Sequence, residues 1–325
     1  MLPALFRATI LSLTVCATAL PAAAQPTSWP EKPVRVIVPY GAGQGADVLM
    51  RLIANELQKG LGQPVVVENK AGAGGNIGML AAAQSKPDGY TFLLGTNATN
   101  AANEFLYPNM GIKPASDFDA VALIGILPSV LTTTEPNLPT NGIAALVAQA
   151  HTQPGALSVG LPSTTAIVVL AQLNKSAQTK LQGVRYKASG QALTDLMGGQ
   201  IPLLIDTVTA SRAHIASGKL RALGLTSSKP SDVLPGVKPI AEQGVSGFNV
   251  VGWDGIFAPH GTSPDILKKM STLLRQATEQ PDTRRKMIEI GVEPLYLDSQ
   301  AFDAFVKTER NVWGDIIRTN GIAID

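Results

Sequence analysis

Apolar residues along this chain fall into short runs that recur with one pattern. VRVIV at 34–38, PVVVE at 64–68, YTFLLG at 90–95 and ALSVG at 156–160 are each followed by a loop of Gly, Ser, Thr or Asn and then by a helix-compatible run. The loops read PYGAGQGAD, NKAGAGGNIG, TNATNAAN and LPSTTA. Runs this short, bounded by turn residues, predict strands. Strands alternating with helices predict an α/β protein, a doubly wound, mainly parallel sheet with helices on both faces. Ligands bind such sheets beyond the carboxyl ends of the strands, where these loops fall.

The helical periodicity is clearest after the first strand. Leu49, Leu52, Ile53, Glu56 and Leu57 share one face and predict a helix over about 47–59, stopped by KGLGQP. IAALVAQAH, QALTDLMGG, SRAHIASGK and PDILKKMSTLLRQATE predict further helices, the last opening on Pro264 and Asp265, which suit a first turn. The apolar run from about 120 to 135 is broken at Pro128, and a second extended run, FNVVGWDGIFAPHGTSP, crosses back at 248–264. Two crossovers about 125 residues apart imply two lobes joined by two connections. The first lobe would be discontinuous, 25–126 and 251–325, and the second would be the insert 127–250.

Residues 1–24 have the layout of a cleavable secretory signal peptide: one cation at Arg7, an apolar stretch from Ala8 to Leu20, and Ala22-Ala23-Ala24 as a small-residue cleavage signal. The apolar stretch is shorter than the ~20 residues that span a bilayer. Its removal takes away the single cysteine, Cys16, and leaves 25 of the 26 basic side chains against 24 acidic ones. A nearly neutral, thiol-free mature chain has no cysteine-based zinc site, and His151, His214 and His260 are too scattered to suggest a histidine-rich one. No basic block suggests nucleic acid.

The stretch YGAGQGADVLMRL holds Gly41, Gly43 and Ala46 in the order G-x-G-x-x-A, and Glu68 follows after the second strand. That matches the local context of a dinucleotide fingerprint, in which Glu68 would grip a ribose; equally, Glu68 is a solvated or ion-paired strand end. Export weighs against a nicotinamide cofactor, so the loop is better read as an anion cradle and no cofactor is expected. Helix N-termini offer unpaired N–H groups and a favourable dipole to an anion, and Gly43, Gly45, Gly72, Gly74 and Gly75 permit close backbone approach. An isolated Gly cluster is an ordinary tight turn; its recurrence at successive strand ends points to a shared site. Asp47 reads as the N-cap of the first helix. No nucleophile elbow, paired-carboxylate signature or metal cluster is present, and the chain is not expected to be an enzyme.

At the level of motifs, the chain resembles the solute-binding proteins of tripartite tricarboxylate transporters, the Bug or TctC-like family. The opening loop P-F-x-x-G-G-x-x-D of that family is answered by Pro39, Tyr40, Gly43, Gln44 and Asp47. VVVENKAGAGGNIG, PDGYTFLLGT, YKASGQALTDLMGGQIPLLID, GKLRALGLTS and WDGIFAPHGTSP follow in family order over essentially the whole mature chain. The resemblance implies a two-lobed, type II-like periplasmic binding protein, a monomer, that closes on a small carboxylate and presents it to a membrane carrier. A periplasmic sensor that reports its ligand to a membrane kinase fits the same sequence. In the first lobe the implied ligand residues are Tyr40, Gly43, Gln44, Gly45 and Asp47, with Gly75, Asn76, Thr96 and Asn97. In the second they are Ser163, Thr164, Tyr186, Ser189 and Asp206. Asp206 would receive a donor on the ligand or cap the helix near Ser211, and the family position favours ligand contact. Trp253 is expected in the core. Three departures from the family pattern, Gln44 for glycine, Val169 for histidine, and Arg185 and Ala188 beside YK, bear on ligand identity more than on ligand class.

Overall fold

A computed structural model describes residues 29–134, 138 and 142–323. The expected signal peptide lies outside the described residues. Eleven strands are described: β1 Val34–Val38, β2 Val65–Asn69, β3 Thr91–Thr96, β4 Phe118–Leu127, β5 Ser129–Thr133, β6 Ser158–Leu161, β7 Gln182–Arg185, β8 Leu203–Thr207, β9 Arg221–Leu225, β10 Gly252–Pro259 and β11 Glu293–Leu297. They form a six-stranded sheet, β11-β4-β10-β3-β1-β2, and a five-stranded sheet, β7-β6-β8-β5-β9.

Each sheet is mixed, and its two halves have different origins. The strand–loop–helix repeats supply the parallel strands, β2–β1–β3 in one sheet and β7–β6–β8 in the other. The chain segments that enter and leave through the crossovers supply the antiparallel ones, β10 and β4 in the first sheet and β5 in the second. Strands buried on both faces read as continuous apolar runs, which is why VRVIV lacks a polar alternation. Val34, Val36 and Val38 pack under the helix Gly45–Leu61, while Ile37 faces the opposite layer with Met79 and Ala82. The first helix begins two residues earlier than its periodicity predicts, because Gly45 and Ala46 bring no apolar signal.

The switch between sheets takes one residue. β4 ends at Leu127 and β5 starts at Ser129, so Pro128 alone separates them. Proline has no N–H for a ladder and breaks pairing at that point, while its carbonyl accepts the Val208 N–H at 3.0 Å. The return connection, 226–251, is held against the first. Thr226 donates its N–H to the Ser129 carbonyl at 3.0 Å, and the Ser129 N–H donates to Thr226 Oγ1 at 3.0 Å. Val250 N–H then donates to the Thr226 carbonyl at 3.0 Å.

Behind the six-stranded sheet, Trp253, Phe257, Phe302 and Phe305 form an aromatic cluster with centroid separations from 5.0 to 6.5 Å. The core position expected for Trp253 is observed. The indole N–H groups of Trp253 and Trp313 both donate to Glu309 Oε2, at 3.1 and 3.0 Å. Burial pushes the Glu309 carboxyl up, with the two indoles opposing. Gly255 sits under this cluster: a Cβ there would come 2.1 Å from Phe302 Cζ and 3.0 Å from the Ala122 carbonyl oxygen. Gly255→Ala is therefore expected to lose about 1–3 kcal/mol through overpacking, read as a lower urea midpoint with an unchanged denaturant slope.

Candidate ligand cleft between the lobes

The loop after β1 is built around a buried carboxylate. Gln44, at φ −74° and ψ 161°, is the N-cap of the helix Gly45–Leu61, although its side chain makes no capping bond. Asp47 is not the N-cap that the sequence suggests but the third helical residue. Its Oδ2 reaches back to accept the Gly43 N–H at 2.8 Å and also binds Arg51 Nε at 3.0 Å. Its Oδ1 accepts from Asn69 Nδ2 at 2.9 Å. Burial raises its pKa, but Arg51, the Gly43 N–H and Asn69 outweigh it and hold the carboxyl below its usual range. Asp47 is thus saturated by its own loop and serves to fix the loop's shape. Gly43 takes φ 81°, a left-handed conformation that side chains disfavour.

Five further first-lobe candidates lie at or near the strand ends: Tyr40, Gly75, Asn76, Thr96 and Asn97. Tyr40 Oη hydrogen-bonds Thr96 Oγ1 at 2.8 Å. Burial pushes the Tyr40 phenol well above its usual range; the Thr96 hydroxyl opposes this, and Asp254 and Tyr107 add to it. The Thr96 hydroxyl also contacts Thr99 at 3.3 Å. Gly75, at φ 99°, lies where a Cβ would come 2.6 Å from Thr99 Cγ2. Asn76 opens the helix Asn76–Ala83, and its Oδ1 accepts from Asn103 Nδ2 at 2.7 Å. Asn97 reaches across: its Nδ2 donates to Thr165 Oγ1 at 2.8 Å, and its Oδ1 accepts the Trp253 N–H at 3.4 Å.

In the second lobe, Ser163 is the N-cap of the helix Thr164–Ser176, its Oγ accepting the Ala166 N–H at 3.2 Å, and Thr164 is the first helical residue. Val169, where the family pattern suggests histidine, is fully buried in that helix. Ser189 opens the helix Ser189–Met197 near Asp206, whose charged form its hydroxyl favours. Tyr186 packs against the cluster of Ala192, Leu193, Leu196 and Ile201, and its phenol is raised chiefly by burial, with Asp195 adding to the shift. Arg185 donates to the Ala323 carbonyl at 2.7 Å.

Asp206, at the end of β8, is 2% exposed. The helix cap that it might have supplied belongs to its neighbour, since Thr207 Oγ1 accepts the Ala210 N–H at 3.2 Å. Asp206 Oδ1 accepts the Thr207 N–H at 2.8 Å, whereas Oδ2 is buried without a protein partner. Burial pushes its pKa up to about 6, with Ser189 and the Thr207 N–H opposing.

Sequence reasoning missed two residues here. Asp254, on β10 in register with Thr96, is 2% exposed, and its Oδ2 has no protein partner. Burial alone pushes its pKa up to about 7. A charged residue in the middle of GWDGIFAP is the signal that could have found it, since a carboxyl group in a strand buried on both faces calls for a reason. Thr209 is the other. It lies 3.6 Å from where a Gly45 Cβ would stand, in the opposite lobe, and its Oγ1 is buried and unpartnered. Thr209 also abuts Gly291, and Arg212 Nη1 donates to the Ile288 carbonyl, so the helix Val208–Ala216 rests on the first lobe.

The family model of TctC, the tripartite tricarboxylate transporter family receptor, matches residues 49–322. The chain belongs to this family. Bordetella pertussis BugT is 33% identical to it over 317 residues, covering 96% of both chains. Among solved structures, an R. palustris protein with adipate superposes at a TM-score of 0.85 with 32% identity, over 91% of this chain and all of that one. MatC from Rhodopseudomonas palustris, with bound malate, gives 0.78 and 28% over 89% and 100%. TctC proteins are periplasmic solute-binding proteins and not enzymes. The acid that would grip a ribose in a dinucleotide fold is engaged otherwise here: Glu68 pairs with Arg35 at 3.0 Å and Lys70 at 2.9 Å. Among the described residues no cluster of metal-ligating side chains occurs and no helix is long and apolar enough to cross a membrane.

The two buried acids set a pH dependence of stability. A carboxyl whose pKa is raised on folding holds a proton that the unfolded chain has released, so stability falls as pH rises from the ordinary carboxylate range to the folded value. For Asp254 that window runs from 3.8 to about 7, a cost on the order of 4 kcal/mol when complete. Without added ligand, Asp254→Asn is expected to melt higher than the parent by several degrees at pH 8, the difference widening from pH 4 to pH 7 and constant above. Calorimetric melting across that range checks it.

Proposed function

We propose that this protein captures a small carboxylate between its two lobes and delivers it to the membrane carrier of a tripartite tricarboxylate transporter. It would act as a monomer, exported by a signal peptide cleaved after residue 24. The observation that carries the reading is that both lobes hold buried polar atoms without protein partners, Asp206 Oδ2 and Thr209 Oγ1 in the second and Asp254 Oδ2 in the first, beside loops that meet across the lobes at Asn97–Thr165 and Gly45–Thr209. Buried polar groups without partners are rare in folded proteins and call for a partner of another kind. The binding of adipate and malate by relatives of the same fold supports a carboxylate.

The ligand contacts proposed for the first lobe are the backbone donors of Gly43, Gln44 and Gly45 at a helix N-terminus, those of Gly75 and Asn76, and the Tyr40–Thr96 hydroxyl pair. From the second come Ser163, Thr164, Ser189 and Asp206. Hydrogen bonds to a charged group contribute roughly 1.5–3 kcal/mol each once water is excluded. A micromolar site needs about 8 kcal/mol, so four or five such bonds suffice before the cost of closure is subtracted. The closing motion is assigned to the connections near 126/127 and 250/251, beside the Ser129–Thr226 hydrogen bonds that fasten them.

Native mass spectrometry of gently purified protein is expected to reveal a bound acid of low mass. Adipate, malate, succinate and glutarate, tested singly, are expected to raise the melting temperature for at least one member and to reduce the radius of gyration in small-angle scattering. Gly43→Val is expected to weaken that binding by tenfold or more. A side chain there meets nothing within 4 Å, so its cost is backbone strain on the order of 1–3 kcal/mol and the fold persists. Unchanged affinity in calorimetry, with normal melting, would reduce the loop to a turn and remove the cradle.

A further inference from the structure

Asp254 is buried beside the strand ends that carry the proposed first-lobe contacts, and among the described residues no charge or donor offsets its burial. β3 approaches it with Thr96, its partner in register, and β4 with Gly125, behind which stand Val292 and Met287. The β1 loop brings Tyr40, whose phenol burial pushes up and the Asp254 charge pushes further, and a phenol above its usual range carries no charge to offer. The cations of the surrounding loops have other commitments. Arg51 is held by Asp47 and Asn69, Lys70 by Glu68, Arg212 by the Ile288 carbonyl and Arg185 by the Ala323 carbonyl.

A ligand carboxylate brought against an ionised Asp254 would place two like charges in a dry crevice without a cation between them. Such pairs do not both ionise; they share one proton. Asp206 differs, because the Thr207 N–H and the Ser189 hydroxyl already stabilise its charged form. Asp254 receives no such donor and is the stronger holder of a proton.

Resting on the proposed carboxylate-binding function, we infer that Asp254 engages the ligand in its protonated form, donating its carboxyl O–H to a ligand carboxylate, so that each capture event takes up a proton from solvent. No bond to carbon changes, and the proton remains on the Asp254–ligand hydrogen bond until release. The complex then bears one negative charge fewer than the ionised protein and the free anion bear together. Polarity along the ligand follows: the carboxylate end faces Asp254 in the first lobe, and any hydroxyl or ammonium donor faces Asp206 Oδ2 in the second.

The test is calorimetric titration with adipate, malate, succinate and glutarate, all ionised above pH 6, in paired buffers of different ionisation enthalpy. If only the protonated form binds and half-protonation lies near pH 7, the affinity for the tightest acid falls about tenfold from pH 6 to pH 8. Uptake is then about 0.9 proton at pH 8 and about 0.1 at pH 6. Asp254→Asn keeps a donor and is expected to bind within a few-fold of the parent at pH 6 while losing the slope; Asp254→Ala is expected to lose affinity at both pH values. Asp206→Asn is expected to retain the slope. Flat affinity in the parent, a slope that survives in Asp254→Asn, or a slope that vanishes in Asp206→Asn each overturns the inference and leaves carboxylate binding standing. If none of the four acids binds the parent at either pH, the inference and the proposed function fall together.

Discussion

Thr226 and Ser129 exchange two hydrogen bonds, N–H to carbonyl and N–H to hydroxyl, and Val250 adds a third to the same threonine. Both passages of the chain from one sheet to the other are fastened at this point. The first passage is a single proline, and both flanking segments are buried, so the bonds are shielded from competing water. The arrangement of the crevice depends on this clasp. The loops after β3 and β1 meet those after β6 and β8, at Asn97–Thr165 and at Gly45 against Thr209, between sheets that share no strand.

The crevice runs against the usual accounting for buried charge. A carboxyl taken out of water normally acquires a cation or several N–H donors. Asp47 shows the ordinary solution, with Arg51, Asn69 and a backbone N–H filling its oxygens. Asp206 is partly satisfied, and Asp254 is left to burial. The acid that shapes a loop is sealed by its partners, whereas Asp206 and Asp254 each keep a buried oxygen without a protein partner.

The α/β class and the strand positions were legible because strands buried on both faces leave uninterrupted apolar runs, and Pro128 marked the change of sheet. β2 starts one residue later than PVVVE suggests, since proline has no N–H for the ladder. Local chemistry was harder to read. Asp47 was misread as a cap, and Asp206 was open to the same reading where Thr207 is the cap, because side-chain oxygens near a helix start look alike in sequence. Tyr186 also packs against Ala192, Leu193 and Leu196, a tertiary placement that its local sequence does not signal. Asp254 was hidden for a related reason, as its meaning arises from what β3 and the β1 loop bring beside it, and those residues lie more than 150 positions away.

The position of β10 has a consequence for how the chain reaches its native state. It sits inside the six-stranded sheet, between β3 and β4, yet it comes after the whole five-stranded sheet in sequence. The five-stranded sheet has all its strands once residue 225 is available, whereas the earlier-synthesised half of the other sheet waits for residues 252–259 to fill the gap between β3 and β4. Long-range closure of that kind is slow, and in the interval two unpaired strand edges stand exposed to other chains. The inserted lobe is thus the natural first-folding unit, and the lobe that begins the chain is the last to be completed.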